Sequence, residues 1–537
     1  MRGTMMDFPL TLVPILERAG KYFGKIEIVS RRPDRSIHRT NYAQICRRAR
    51  ALAKALQDAG MRSGDRVATL CWNHSEHLEA YFGVPVAGGV VHTLNLRLSK
   101  AELISIVKHA GDRFLIVDDV LLPTLEDFRR DVNFERVWVV PTSGASLPEG
   151  GESYEALIAS ARGEFQYPEI DENDAAAMCY TSGTTGQPKG VLYSHRALVL
   201  HTFGVALADA FGNRQRDTVL PIVPMYHANA WGLPYAAAMI GSKLVLPGPH
   251  FDAEALLDLM ADEQVTFASG VPTVWLGVLE ALEKNPDRWK LSPELRLGIG
   301  GAAAPETMLR ELDRRGLETT HSWGMTEMTP VGTAGRLKSY MLDWPVDKIY
   351  GIKRMQGIPL PFVEARAVSA AGETPWDGET AGELQVRGPW VAANYYNLPE
   401  ANDRWTADGW FRTGDVAAID PEGYIRICDR TKDMVKSGGE WISSVDMESA
   451  LMGHPAVKEA AVIAVPHPKW LERPLAVVVL KDGWKVSAED LRAFLGWKFA
   501  KWQLPDAIEF VNEIPRTSVG KFKKSELRDR FRNWDWR

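Results

Sequence analysis

The sequence predicts an α/β fold with layered, largely parallel sheets. Along most of its length, apolar positions at helical spacing alternate with short, uninterrupted apolar runs that read as buried strands. Near Gly382 the texture changes to short β-like segments separated by turns, and after Asp429-Arg-Thr-Lys432 a compact tail follows. The organisation expected is a large N-terminal domain, 1–431, made of layered α/β subdomains plus a small β-barrel-like subdomain. A small α+β C-terminal domain, 432–537, follows behind a hinge.

Residues 42–60 set Tyr42, Ile45, Ala49, Leu52, Ala53 and Leu56 on one helical face. The turn Arg62-Ser-Gly-Asp-Arg66 leads into a strand at 67–71. Residues 75–87 and 99–110 predict helices and 113–117 a strand, while 143–152, rich in Gly, Ser and Pro, is a loop. Strands are expected again at 175–179, 218–223, 242–246, 266–270 and 295–300. In the later β-like region they fall at 382–387, 409–413, 416–420 and 424–428. In the tail, strands at 459–465 and 474–480 accompany a helix at 487–499.

The 537 residues are 45% hydrophobic and 25% charged, which is ordinary globular material able to bury several cores. A net charge of −6 gives no electrostatic reason to expect a nucleic-acid partner. Cys46, Cys71, Cys179 and Cys428 are far apart with no C-x-x-C pair, so neither a disulfide framework nor a zinc site is expected, and a reducing cytoplasm is the simpler setting. Asp7, Glu17, Arg18 and Lys21 interrupt the first residues, which therefore lack a signal-peptide core, and no window reaches the length of a membrane span. Of the 18 tryptophans most should pack in cores, with some lining an apolar substrate channel.

The chemistry is read first from Tyr180-Thr-Ser-Gly-Thr-Thr-Gly-Gln-Pro-Lys-Gly-Val-Leu-Tyr-Ser194. Gly183 and Gly186 let backbone N–H groups close around an anion, and Thr181, Ser182, Thr184 and Thr185 add short hydroxyl donors. Lys189 supplies a cation. The preceding apolar strand makes this a loop leaving a sheet, suited to wrapping phosphate. It departs from the Walker pattern because Lys189 lies between Pro188 and Gly190.

Five more segments follow at wide intervals: Pro224-Met-Tyr-His-Ala-Asn-Ala-Trp231, His321-Ser-Trp-Gly-Met-Thr-Glu327, Gly409-Trp-Phe-Arg-Thr-Gly-Asp415, Asp429-Arg-Thr-Lys-Asp433 and Pro515-Arg-Thr-Ser-Val-Gly-Lys521. Together with the loop, their order and spacing resemble the adenylate-forming superfamily of acyl-CoA synthetases, luciferases and peptide-synthetase adenylation domains. Lys436-Ser-Gly-Gly-Glu-Trp-Ile-Ser-Ser444 and His92-Thr-Leu-Asn95 look most like the bacterial ligases for medium- and long-chain fatty acids.

The resemblance implies two steps. A carboxylate attacks the α-phosphorus of ATP to give an acyl-adenylate and pyrophosphate, and the thiol of coenzyme A then displaces AMP. It also implies roles for residues. Thr181–Gly186 would hold the β- and γ-phosphates, with Thr184 and Glu327 serving Mg²⁺, a hard oxygen-seeking cation. Lys521 would bridge the carboxylate and the α-phosphate, although a lone lysine at such a place is ordinarily solvated surface. Asp415 would take the ribose hydroxyls, accompanied by Arg430. Trp323, where the family commonly has Tyr, would stack on adenine, with Gly301, Ala302, His321, Ser322, Gly324 and Thr326 around the nucleotide.

His227 and Trp231 would border the acyl channel beside Gly300, with His227 near the reacting groups and Trp231 as a gate. Lys432 matches the hinge of a mobile C-terminal domain. Lys436, Gly438, Gly439 and Trp441 would meet the nucleotide and the coenzyme A path after a rotation. The partners implied are small molecules: an acid, ATP and coenzyme A. The residues leave open a short thioether acid, an aryl acid, transfer to a separate carrier protein, and the oligomeric state, where a homodimer is one expectation.

Overall fold

The helix expected at 42–60 runs over Tyr42–Asp58, and Asn41 caps it by accepting the Gln44 N–H. Its Ile45, Ala49, Leu52 and Leu56 are buried against helix Ser75–Val86, which is itself buried on every side. A helix with no exposed face belongs between two layers, and its Glu76 and Glu79 are paired with Arg32 and Arg48. The computed structural model describes residues 1, 3–144, 147, 151–181, 188–437, 440–516, 521–532 and 534–536.

Among the described residues, two seven-stranded sheets enclose that layer. The first runs in the order Glu318–His321, Arg296–Ile299, Phe267–Gly270, Thr218–Pro221, Lys243–Leu246, Glu27–Arg31 and Ile37–Asn41. All its strands are parallel except the last. The second runs Glu152–Ser153, Arg136–Val140, Phe114–Asp118, Arg66–Leu70, Val90–Thr93, Ala175–Tyr180 and Gly190–Ser194, again with one antiparallel edge. The core between the sheets joins Phe82, Val91, Tyr235 and Phe267. Each outer face has its own core, with Trp275 and Leu309 on the first sheet and Leu103 and Phe128 on the second. The result is a helix–sheet–helix–sheet–helix stack, and the α/β expectation holds.

A five-stranded antiparallel sheet follows, in the order Gly372–Glu373, Glu364–Ser369, Gly382–Arg387, Phe411–Ile419 and Ile425–Arg430. Here the sequence expectation needs one correction. The two strands expected at 409–413 and 416–420 are a single strand, Phe411–Ile419. Gly414, at φ +74°, and a register shift between Val416 and Ala417 bend the strand without ending it. Beyond it, Leu471–Leu480 pairs with Val457–His467 and Ala507–Phe510 in a further sheet carrying helices Ser444–Met452 and Ala488–Leu495. The predicted helix 487–499 stops at Leu495, before Gly496. In the expected loop 143–152, residues 145, 146 and 148–150 lie outside the described residues. No helix of the described residues is long and apolar enough to cross a membrane.

Candidate functional site

Strands of the two parallel sheets end at one place, where open α/β sheets bind ligands. Ala175–Tyr180 delivers Thr181, Thr218–Pro221 delivers 224–231, Arg296–Ile299 delivers Gly300 and Gly301, and Glu318–His321 delivers Ser322 and Trp323. They line a cavity of about 400 Å³ that also takes Lys189, His227, Trp231, Gly324, Thr326, Glu327, Arg430, Lys432 and Lys521. Residues spread over 340 positions of sequence thus meet around one space (Thr181 to Lys521).

Lys521 precedes a residue that is tied back to the chain before it. Arg516 bridges Phe522, and the Lys523 N–H donates to the Pro515 carbonyl at 2.7 Å. Its Cε lies 3.4 Å from where a Cβ on Gly301 would stand. Burial lowers its pKa to about 8, helped by the Arg430 charge and opposed by Asp415 and Glu327. Gly301 sits at φ +82°, where any side chain would strain the backbone, and a Cβ on Gly300 would meet Trp231 at 2.9 Å.

Trp231 is buried, stacked at 6.4 Å on Phe211, and held by an unusual backbone. Ala228, Asn229, Ala230 and Trp231 have φ of 43°, 49°, 49° and 57°, a left-handed turn that precedes Gly232. Each such L-residue costs roughly 1–2 kcal/mol, and such strain clusters at functional sites. His227, just before this turn, is held neutral by burial and by the Lys521 charge, with its pKa down to about 3.

On the nucleotide side, the Trp323 indole N–H donates to Asp415 Oδ2 at 2.8 Å, and Arg430 Nε pairs with Asp415 Oδ1 at 3.1 Å. Asp415 therefore stands behind the cavity wall. His321 and Ala302 are not among the residues that line the cavity; His321 accepts the Ala304 N–H at 3.3 Å, and burial lowers its pKa to about 4. Glu327 is buried and accepts the Tyr395 hydroxyl on Oε1 at 2.6 Å, and Lys189 Nζ lies 4.9 Å over the Tyr395 ring. Thr181 and Lys189 clamp the loop between them, each N–H donating to the other residue, at 3.0 and 3.1 Å.

Ser182, Gly183, Thr184, Thr185, Gly186, Gly438 and Gly439 lie outside the described residues, as does the Trp441 side chain. The backbone of Trp441 pairs with Lys436, which is exposed and away from the cavity. Sequence reasoning missed Arg97, Tyr226, Phe251, Tyr395 and Arg404, all of which line the cavity. Tyr226 was visible inside a quoted motif. For the others no local pattern signals the contact.

The AMP-binding enzyme family model matches residues 16–396, and the AMP-binding enzyme C-terminal domain model matches 446–521. The chain is 48% identical to a long-chain-fatty-acid–CoA ligase of Thermus thermophilus, over 99% of this chain and 97% of that protein. It is 45% identical to a 3-methylmercaptopropionyl-CoA ligase of Ruegeria pomeroyi, over 99% of each. Its fold matches a crystal structure of an anthranilate CoA ligase in complex with anthranoyl-AMP, with a TM-score of 0.87, 27% identity and 98% of each chain covered. The chain thus belongs to the AMP-binding enzyme family. Its class is AMP-forming acyl-CoA ligase, which uses ATP to make an acyl-adenylate and coenzyme A to accept the acyl group.

Proposed function

We propose that the chain activates a medium- to long-chain fatty acid, with Lys521 as the adenylating lysine. The observation that carries this is Lys521 in the cavity wall, its Cε beside Gly301 where Trp231 also approaches, with the Arg430 and Glu327 charges acting on its amine. A carboxylate and a phosphate repel each other, so the site must neutralise both and hold them in line. The Lys521 ammonium does this between the acid and the α-phosphate. Trp323 carries adenine on its face, and Asp415 with Arg430 takes the ribose. Pyrophosphate leaves toward Lys189 and the 182–187 loop. In the second step the coenzyme A sulfur bonds the acyl carbon and AMP departs with the electron pair.

Glu327 fits Mg²⁺. Its Oε1 is held by Tyr395, and among the described residues no hydrogen bond engages Oε2. Thr184, outside the described residues, would share the ion. Bound there, Mg²⁺ would offset charge on the triphosphate. The domain division at 431/432, with Lys432 as hinge, belongs to the same reading. So do Gly438, Gly439 and Trp441 on the coenzyme A path.

A second reading, a short thioether acid, is favoured by Trp231, which closes on Gly300 and shortens the apolar arm. Pyrophosphate release with acids from propionate to palmitate, alongside 3-methylmercaptopropionate and benzoate, separates the two. A maximum at palmitate or octanoate supports the first, and a maximum at the thioether acid replaces it.

A further inference from the structure

Arg404 ends the short helical turn Pro399–Arg404 and reaches into the cavity wall. Its Nη2 stands 3.4 Å from where a Cβ on Gly414 would be, and its Cζ lies 5.6 Å over the Phe411 ring. A guanidinium is always charged and carries five donors. Yet Arg404 Nε is buried without a hydrogen-bond partner, and among the described residues no carboxylate pairs with this guanidinium. Arg430, in the same wall, differs in being paired with Asp415 at 3.1 Å. Half-burying a cation without a counter-charge is costly unless something else supplies the charge.

The surroundings say what that is. Arg404 is close enough to Tyr395 for its charge to act on the phenol, and Lys189 covers the Tyr395 ring at 4.9 Å. The Tyr395 hydroxyl in turn holds Glu327. Arg404 therefore shares a stretch of cavity wall with Tyr395, Lys189 and Glu327. The ribose side is already served by Asp415 and Arg430. We infer that Arg404 is a further nucleotide-binding residue, its planar fork taking β- and γ-phosphate oxygens of ATP and holding pyrophosphate as it leaves. This rests on the reading of the cavity as the ATP site.

The test compares Arg404→Gln and Arg404→Lys in the full chain, by calorimetric titration with α,β-methylene-ATP and with AMP. Losing charge-assisted bonds to phosphate should weaken α,β-methylene-ATP by about 10–100-fold in Arg404→Gln. AMP binding should stay at the parental value, and Arg404→Lys, which keeps the charge and the shape of the wall, should recover part of the loss. The apparent affinity for pyrophosphate in ATP–pyrophosphate exchange should fall in step. An equal loss for AMP would move Arg404 to the ribose or α-phosphate and overturn the inference. So would unchanged binding of both ligands in both variants, or a change confined to coenzyme A. A parent that binds neither nucleotide would instead overturn the reading of the cavity itself.

Discussion

Trp323 and Asp415, 92 positions apart, are joined by a hydrogen bond from the indole N–H to Oδ2 at 2.8 Å, and both are buried. This bond ties the end of a parallel sheet to the bent strand Phe411–Ile419 of the antiparallel one. With Arg430 on Oδ1 it fixes the orientation of the carboxylate, leaving two of its roughly four lone-pair sites for a ligand. The edge of Trp323 thereby orients the carboxylate proposed to take the ribose.

Trp323→Phe keeps an aromatic face and deletes only the donor. The KM for ATP should rise about fivefold, from roughly 1 kcal/mol of lost hydrogen bonding, while the KM for the acid stays unchanged. Steady-state kinetics with each substrate varied in turn checks it. A parental KM for ATP would mean the bond serves the fold alone.

Lys521 gives a pH prediction with a definite sign. Its amine is held down to about 8 by burial and by Arg430, so the ammonium proposed to serve adenylation is present below that pH and is lost above it. The kcat/KM for ATP, which reports the free enzyme, should fall as pH rises through about 8. Lys521→Arg, charged at every accessible pH, should remove that limb. Lys521→Ala should slow adenylation by about 10²–10³ while sparing thioester formation from a supplied acyl-adenylate. A limb that persists in Lys521→Arg would belong to another group.

Tyr395 and Glu327 are joined by a hydrogen bond, and the Mg²⁺ role proposed for Glu327 makes both testable. Glu327→Gln loses charge at constant shape, and Tyr395→Phe loses the 2.6 Å donor that orients the carboxylate. Both should need more Mg²⁺ for half-maximal adenylation, Tyr395→Phe by about three- to tenfold and Glu327→Gln by more. Parental Mg²⁺ titrations in both variants would take the ion away from Glu327.

What the sequence could disclose follows from what is local. Parallel strands buried on both faces, such as Phe114–Asp118 and Phe267–Gly270, announce themselves as apolar runs. The bend at Gly414 did not, because one glycine with turn-like neighbours reads as a strand end. The left-handed turn 228–231 is invisible too, since only Asn229 of its residues favours that region, and tertiary packing imposes it on the alanines and the tryptophan. Tyr395 and Arg404 were missed because long-range backbone bonds bring their segment in. The Ala392 N–H donates to the Glu327 carbonyl at 2.8 Å, and the Tyr396 N–H to the Gly190 carbonyl at 2.9 Å.

Trp231 and Gly300 lie together in the cavity wall, where the proposed acyl arm would take its depth from them. Trp231→Ala removes the ring that approaches within 2.9 Å of a Cβ on Gly300, so longer acids should gain relative to shorter ones. Gly300→Ala should do the reverse, since its methyl meets both Trp231 and the Ser322 carbonyl, the latter at 3.0 Å. The ratio of kcat/KM for palmitate over butyrate reads both changes. If both variants leave that ratio at the parental value while lowering thermal stability, Trp231 is a core residue only.

The last prediction concerns movement. In the proposed mechanism Lys521 takes the place beside the α-phosphate, yet the coenzyme A thiol must later reach the acyl carbon next to it, and one arrangement does not admit both. A rotation of the C-terminal part about Lys432 would withdraw Lys521, with a few backbone dihedrals absorbing the change. In the present arrangement Lys458, on strand Val457–His467, faces Glu280 on helix Pro272–Lys284 at 3.6 Å. The four native cysteines are buried, so Lys458→Cys/Glu280→Cys offers the two accessible thiols for a cleavable bis-thiosulfonate cross-linker. The cross-linked enzyme should form acyl-adenylate at the parental rate and pass it to coenzyme A at least about tenfold more slowly, because the transition state of the second step needs the forbidden orientation. Reductant should restore the transfer. Single-turnover assays of the two steps before and after reduction decide it: native transfer while cross-linked, or equal loss in both steps, would remove the case for a rotating domain.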